Sequence, residues 1–316
     1  MIRVGIVGYG NLGKAVEREI VINKEFQLVK IFSRRNIKIL QSPFDSKFEK
    51  LNKLENYSKK IDLLFLCGGS FGDIEKIGLK AIKNFCTVDA FDTHSKLHKY
   101  KEDIDSIAKE NNKVGLIAFG WDPGILSQIR TIFAGIAGEH NVSTFWGEGV
   151  SQGHSDALRQ IDDVENAIQF TIPNKNEMKN VLNQPNYKPD DNNKHRRVCF
   201  VVTKNPKKVG KQIRQMPNYF AGQKTTIHYV DNEKVIELQK DMKHRGLVVS
   251  HFMLPNCYRA KMKFEIEMQN NPSLTARIMI VGGKIAMKLY EEEKFGGYSI
   301  LDIPPKYFLD KDDKML

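Results

Sequence analysis

The chain has 316 residues, with 49 Lys and Arg against 38 Asp and Glu, a formal net charge of +11, and 41% hydrophobic residues. Enough apolar surface is present to offset the entropy of ordering, which excludes a disordered chain, and the length suits two domains at roughly 100–200 residues each. No apolar run reaches the ~18 residues of a membrane span, and the opening MIRVGIVGYG carries no cationic leader or cleavage site, so a cytoplasmic protein with no membrane partner is expected.

The first 120 residues alternate short apolar runs with helical patterns. Residues 2–7 are apolar or small but for Arg3, as in a strand buried on both faces. In the next segment Leu12, Val16 and Ile20 share one helix face, with Lys14, Glu17 and Arg18 off it. Further strands are expected at 26–32, 61–66, 86–89 and 114–119, and helices at 74–83 and 97–111. This alternation points to an α/β fold, a doubly wound parallel sheet with helices on both faces. After Gly124 the texture changes. An apolar helix over 125–138 precedes alternating runs at 142–146, 198–203, 225–230, 235–238, 247–252 and 260–269, read as strands of a mainly antiparallel sheet. A helix over 273–290 and a short apolar piece at 298–303 follow. The expected division is an α/β domain over 1–122, an α+β domain over 123–272, and a segment, 273–316, that packs back on the first.

Gly8-Tyr9-Gly10-Asn11-Leu12-Gly13 reads GxGxxG, directly after a strand and before a helix, the Rossmann-type dinucleotide fingerprint. Gly8 permits the tight turn, Gly10 lets the backbone approach a pyrophosphate, and Gly13 lets helix and strand pack closely. The helix N-terminus then offers free N–H groups to the phosphates. Twenty residues beyond Gly13, where an NAD enzyme places a carboxylate on the ribose 2′-hydroxyl, the chain has Ser33-Arg34-Arg35. A hydroxyl and two guanidiniums suit a 2′-phosphate, so NADP(H) is expected as the cofactor. Cys67-Gly68-Gly69-Ser70 follows a buried strand and reads either as a simple turn or as a seat for the nicotinamide ribose.

Three segments are expected at the carboxyl ends of strands, where such sheets bind ligands. They are Val88-Asp89-Ala90-Phe91-Asp92, Phe119-Gly120-Trp121-Asp122-Pro123-Gly124 and Thr144-Phe145-Trp146-Gly147. Asp92 and Asp122 suit a cationic substrate, and the aromatic groups would form a water-poor wall. Helix capping is the other reading of each Asp, and Asp122-Pro123 has the form of an N-cap with Pro at the first helical position. Ser151, His154 and Asp156 crowd together in 149–156, but neighbours in sequence do not normally reach triad geometry and no GxSxG occurs, so a glycine-rich substrate loop is expected. Between Asn174 and Arg214 lie eleven Lys and Arg against three Asp and Glu. That stretch is rich in Asn and Pro and reads as a long solvated loop with no nucleic-acid partner. Cys67, Cys86, Cys199 and Cys257 form no CxxC pair and are expected to stay reduced. His94 and His98 lack a third ligand, so no metal is expected.

Taken together, GYGNLG, FSRR, LCGGS, TVDxFD, GWDPG, TFWGxGVSQGHSDA, QFTIP and MPNYF resemble the meso-diaminopimelate D-dehydrogenase family, up to about Phe220 and weakly beyond. The resemblance implies a homodimer that uses NADP to deaminate the D-centre of meso-2,6-diaminopimelate to L-2-amino-6-oxopimelate and ammonia, or runs the reverse reaction. It implies that Tyr9, Asn11, Leu12, Ser33, Arg34, Arg35, the 67–70 turn, Ala90, Phe91, Asp92, Asp122, Pro123, Gly124 and Ile125 contact the cofactor. It assigns Asp92, Asp122, Trp146, Gln152, Gly153, Thr171, Arg197, His244 and Asn271 to the substrate, with Arg197 on its distal carboxylate. Where the family usually has Pro-His-Gly-Gly, this chain has Lys243-His244-Arg245-Gly246. Another NADP-dependent reductase of oxo or imino acids, or an NADP-binding redox regulator, are the competing readings.

Overall fold

A computed structural model describes residues 1–69 and 73–309. In chain order the elements are β1 (Ile2–Val7), α1 (Asn11–Ile22), β2 (Phe26–Ser33), β3 (Phe48–Lys50), β4 (Leu63–Leu66), α2 (Asp73–Ala81), β5 (Cys86–Asp89), α3 (Leu97–Glu110), β6 (Val114–Ile117) and α4 (Ile125–Ala137). There follow β7 (Val142–Trp146), β8 (Gly149–Val150), α5 (Gln152–Arg159), β9 (Val164–Pro173), α6 (Lys175–Asn183), β10 (His195–Thr203), α7 (Pro206–Gln215), β11 (Lys224–Tyr229), α8 (Asn232–Leu238), β12 (His244–Met253) and β13 (Arg259–Met268). The last are α9 (Asn271–Glu291) and β14 (Gly296–Ser299). Contacts divide the chain into a first unit, Met1–Ser127 with Pro272–Leu316, and a second, Gln128–Asn271.

The first unit is a seven-stranded sheet in the order β14-β6-β5-β4-β1-β2-β3, every pair parallel. The order reverses between β1 and β4, and carboxyl ends at such a switch point form the crevice where ligands bind. β4, β5 and β6 are buried at every residue, as continuous apolar runs should be. One face packs Val7, Phe32, Leu64, Leu66 and Phe85, and another cluster gathers Ile74, Ile82, Phe91, Tyr100, Ile104 and Ile117. Glu17, expected off the buried face of α1, is instead wholly buried, because Tyr9 and Ser42 both donate to its carboxylate at 2.5 Å.

The second unit holds two sheets, β11-β10-β9-β8 and β13-β12-β7. All pairs are antiparallel except β10 with β11. Three expectations are corrected here. The run 235–238, taken as a strand, lies in α8: Asp231 caps it through the Lys234 N–H at 2.7 Å, and Val235 and Leu238 turn to one core at a spacing of three. The expected glycine-rich loop at 149–156 is β8 followed by α5, capped by Ser151. The basic stretch is mostly ordered as α6, β10 and α7. The Asn and Pro of residues 183–193 do lie at the end of α6 and in the stretch before β10 that forms no helix or strand, while Asn174 caps α6 through two N–H groups and Pro206 opens α7.

Candidate active site

In the first unit the phosphate loop joins β1 to α1. Gly8 has φ +94°, and a Cβ on Gly13 would stand 2.2 Å from the Gly8 carbonyl oxygen, so neither position admits a side chain without a shift. A Cβ on Gly10 meets nothing within 4 Å, and no side chain caps α1 there. The space beside Gly10, at the start of α1, is therefore open, as the close approach of a pyrophosphate requires. Asn11 and Leu12 open the helix, and Tyr9 is buried with its ring edge against Phe48. Burial and the adjacent Glu17 raise the Tyr9 pKa to about 12, so its hydroxyl stays a donor.

The ribose-end residues come from the carboxyl end of β2. Ser33 is buried and accepts the Arg35 N–H at 3.1 Å. Arg35 folds back and donates from Nη2 to the Tyr9 carbonyl, while Arg34 stays exposed. Cys67, Gly68 and Gly69 follow β4 and abut the phosphate loop: a Cβ on Gly8 would lie 2.8 Å from the Cys67 oxygen. Ser70 lies outside the described residues. Burial pushes the Cys67 thiol far up, so it is no nucleophile.

Ala90, Phe91 and Asp92 follow β5, and residues 118–124 follow β6, so both segments leave carboxyl ends of the parallel sheet. Asp92 and Asp122 are half-buried. The turn after Gly120 closes by Ile125 N donating to the Gly120 oxygen at 3.1 Å and Leu126 N to the Trp121 oxygen at 2.9 Å. Gly124 is obligatory there: φ is +142°, and a Cβ would stand 1.7 Å from the Gly120 oxygen. α4 starts at Ile125, so Asp122 lies three residues ahead of it and Pro123 two. Asp92 stands two residues before the short turn His94–Lys96.

The segment Thr144-Phe145-Trp146-Gly147 is not at a carboxyl end of the parallel sheet, as expected, but in and after β7 of the second unit. There it meets the other substrate candidates. Trp146 N donates to His195 Nε2 at 2.9 Å, and the two rings stack obliquely at 5.0 Å. Burial above all, then the charges of Arg197, Lys194 and His244, lower the His195 pKa to about 3, so this imidazole is neutral and a fixed acceptor. Gly147 and Gly149 bring strands together: a Cβ on Gly147 would sit 2.1 Å from the Thr171 oxygen, and one on Gly149 would sit 2.6 Å from His244 Cα. Arg197 lies opposite Thr171 in the β9–β10 pair and donates from Nη1 to its hydroxyl oxygen at 2.7 Å. Gln169 Nε2 donates to the same oxygen at 3.3 Å. Both lone pairs of Thr171 are thereby used, leaving its O–H to donate outward. Arg197 has no carboxylate partner among the described residues, and its buried Nε makes no hydrogen bond. Burial lowers its pKa to about 10, which still leaves it charged at neutral pH. Gln152 donates to Met242 Sδ at 3.1 Å, and Asn271 N donates to the Met242 oxygen at 2.8 Å. Gly153 follows Gln152 in α5, and His244 is buried with Nδ1 2.8 Å from the Arg245 oxygen. Ser151 Oγ and His154 Nδ1 lie 2.9 Å apart because Ser151 caps the helix that carries His154.

Residues 120–270 match the family model described as the diaminopimelic acid dehydrogenase C-terminal domain. Over 306 residues the chain is 36% identical to the meso-diaminopimelate D-dehydrogenase of Ureibacillus thermosphaericus, covering 96% of this chain and 94% of that one. The chain belongs to the meso-diaminopimelate D-dehydrogenase family. Among solved structures, an engineered D-amino acid dehydrogenase bound to NADP+ superposes with a TM-score of 0.91 at 30% identity, over 98% of this chain and 97% of that one. The Corynebacterium glutamicum DAP dehydrogenase in complex with DAP gives 0.89 at 31% identity, over 98% and 96%. In this family member, sequence reasoning missed four buried polar residues beside the candidates: Glu17, Asp89, Gln169 and His195. His195 had a signal in HRRVCF, at alternate spacing from Arg197 on one strand face. Asp89 and Gln169 lay within the quoted TVDxFD and QFTIP motifs without being singled out, and nothing in the sequence marked Glu17.

Proposed function

We propose that this protein catalyses the NADP-dependent oxidative deamination of meso-2,6-diaminopimelate at its D-centre, giving L-2-amino-6-oxopimelate and ammonia with uptake of water, and the reverse reductive amination. The observation that carries this reading is Arg197, a largely buried cation on a sheet face with no carboxylate partner among the described residues, beside a hydroxyl committed to donate. A protein rarely leaves such a charge uncompensated unless a ligand completes it. NADP, when bound, supplies the acceptor for the hydride leaving the D-carbon.

Within the reading, the first unit is the cofactor domain and the second the substrate and dimerisation domain. Gly8 to Gly13 cradle the pyrophosphate, Ser33, Arg34 and Arg35 take the 2′-phosphate, and the turns beginning at Cys67, Ala90 and Asp122 hold the nicotinamide end. Asp92 and Asp122 hold the D-ammonium and stabilise the positive charge that grows on the substrate as hydride leaves. Arg197 takes the distal carboxylate, joined by Thr171, His244 and Asn271. Trp146, fixed by His195, and Gln152 with Gly153 shape the wall that limits water until the imine is hydrolysed. A homodimer is supported by Ile132 and Ile136, both exposed on the apolar helix α4. A cytoplasmic location accords with four free cysteines.

The test is purified protein with meso-diaminopimelate and either NADP+ or NAD+, followed at 340 nm. Reduction is expected with NADP+, slower by at least about tenfold with NAD+, since charge-assisted phosphate contacts are each worth about 1.5–3 kcal/mol. No reduction with either cofactor overturns the proposal.

A further inference from the structure

The turns that follow β5 and β6 carry Asp92 and Asp122, and a third carboxylate lies beneath them. Asp89, the last residue of β5, is almost wholly buried. Its Oδ1 accepts the Phe91 N–H at 3.0 Å and the Ala118 N–H at 2.9 Å, and its Oδ2 accepts the Tyr100 hydroxyl at 2.8 Å. Its carbonyl oxygen accepts the Phe119 N–H at 2.7 Å. One residue thus fixes the backbone immediately before Asp92 and the start of the turn that ends in Asp122. Ala118 is held at φ +55°, a left-handed conformation that a non-glycine residue keeps only when its surroundings impose it. The Tyr100 hydroxyl reaches Asp89 because Gly78 of α2 leaves room: a Cβ there would stand 2.1 Å from that oxygen. The Tyr100 ring also packs on Phe91 at 4.8 Å.

We infer that Asp89, oriented by Tyr100, is a positioning residue that sets the mutual placement of the Asp92 and Asp122 turns and thereby the rate of amine oxidation. Three donors converge on one buried carboxylate, which is more than packing needs. An apolar residue in a parallel-sheet core would be stable without them. Burial lifts the carboxyl's pKa to about 6 against the pull of its three donors, so the fold bears an opposed charge where an amide would be easier to keep. This rests on the dehydrogenase reading, and the experiment separates the two.

Wild-type protein is assayed first with NADP+ and meso-diaminopimelate, and failure there defeats the dehydrogenase reading alone. Asp89→Ala and Asp89→Asn then follow. Binding of 2′,5′-ADP, which fills only the adenosine half of the cofactor site, is measured by calorimetry on each variant. Asp89→Ala is expected to lose about 100-fold in kcat/KM for the diamino acid, as loss of charge-assisted bonds implies, with 2′,5′-ADP affinity within about twofold of wild type. Asp89→Asn retains the Oδ1 acceptor and is expected to recover kcat/KM to within about tenfold of wild type. Wild-type kcat/KM in Asp89→Ala overturns the inference. So does a matching loss of 2′,5′-ADP binding, which marks a purely structural role. If Asp89→Ala does not fold, Tyr100→Phe decides: an about three- to tenfold lower kcat/KM supports the positioning role, and a value within about 1.5-fold of wild type overturns it.

Discussion

At the residue scale the substrate candidates are tuned by neighbours rather than by their own chemistry. Arg197 would be an ordinary strand arginine were it exposed. Buried beside Thr171, with Nε unpaired, it becomes a receptor for a carboxylate. The two ends of meso-diaminopimelate are chemically identical apart from handedness, so an enzyme selecting the D-end must grip the L-end. Arg197→Met should therefore cut kcat/KM for meso-diaminopimelate by about 2 kcal/mol or more, some 30-fold, and change the rate on D-alanine little. Parallel initial-rate measurements on the two substrates check it, and an equal fall on both would make Arg197 structural. Thr171 adds direction. With Arg197 and Gln169 donating to its oxygen, its proton points away from both, toward an acceptor.

At the element scale, what the sequence made legible was whatever has a period or a punctuating residue. The parallel strands were readable because burial on both faces makes them unbroken apolar runs, and the phosphate loop because each glycine answers a contact: Gly8 by its φ, Gly13 by the Gly8 oxygen, Gly10 by the empty space above it. The helices α5 to α8 were not legible. The four-residue window at 235–238, Val-Ile-Glu-Leu, is too short to separate the two periods, and only the cap at Asp231 reveals the helix. Trp146, Thr171, Arg197 and His244 come from four different strands, a convergence no local pattern encodes. Buried Asp89 and Glu17 were silent for the same reason, since each meets partners distant in sequence, Ala118 and Ser42. The open space at Gly10 gives a sharp test of the loop. Gly10 has φ −92° and ψ −157°, within reach of alanine, so Gly10→Ala should leave the melting temperature within about 2 °C of wild type. The added methyl occupies the approach of the pyrophosphate, and NADP affinity should drop by about tenfold or more. Calorimetric titration showing unchanged affinity would remove the phosphate from that position.

At the scale of the whole molecule, the two units carry buried titrating groups with opposite pH responses. In the first, the Asp89 carboxyl rises from 3.8 to about 6 through burial. The folded state holds its proton more tightly than the unfolded chain between those values, so this group's contribution to stability falls as pH rises from about 4 to 6. In the second, burial takes His195 from 6.5 down to about 3. There the unfolded chain binds the proton more tightly, and stability rises with pH across about 3 to 6.5. At about 1.4 kcal/mol for each pKa unit, both effects are on the order of 3–5 kcal/mol, large beside a typical domain's total stability. Asp89→Asn should therefore gain on wild type as pH rises, showing no such gain at pH 4 and about 2 kcal/mol at pH 7. His195→Gln keeps an acceptor for the Trp146 N–H, and its gain should run the other way, absent at pH 7.5 and growing toward pH 4. The chain has two tryptophans, Trp121 in the first unit and Trp146 in the second. Urea unfolding of Trp121→Phe and Trp146→Phe backgrounds, read by the remaining indole, assigns each pH slope to its unit. A difference between Asp89→Asn and wild type that stays constant from pH 4 to 7 would mean that the buried carboxylate is ionised throughout, its three donors outweighing its burial.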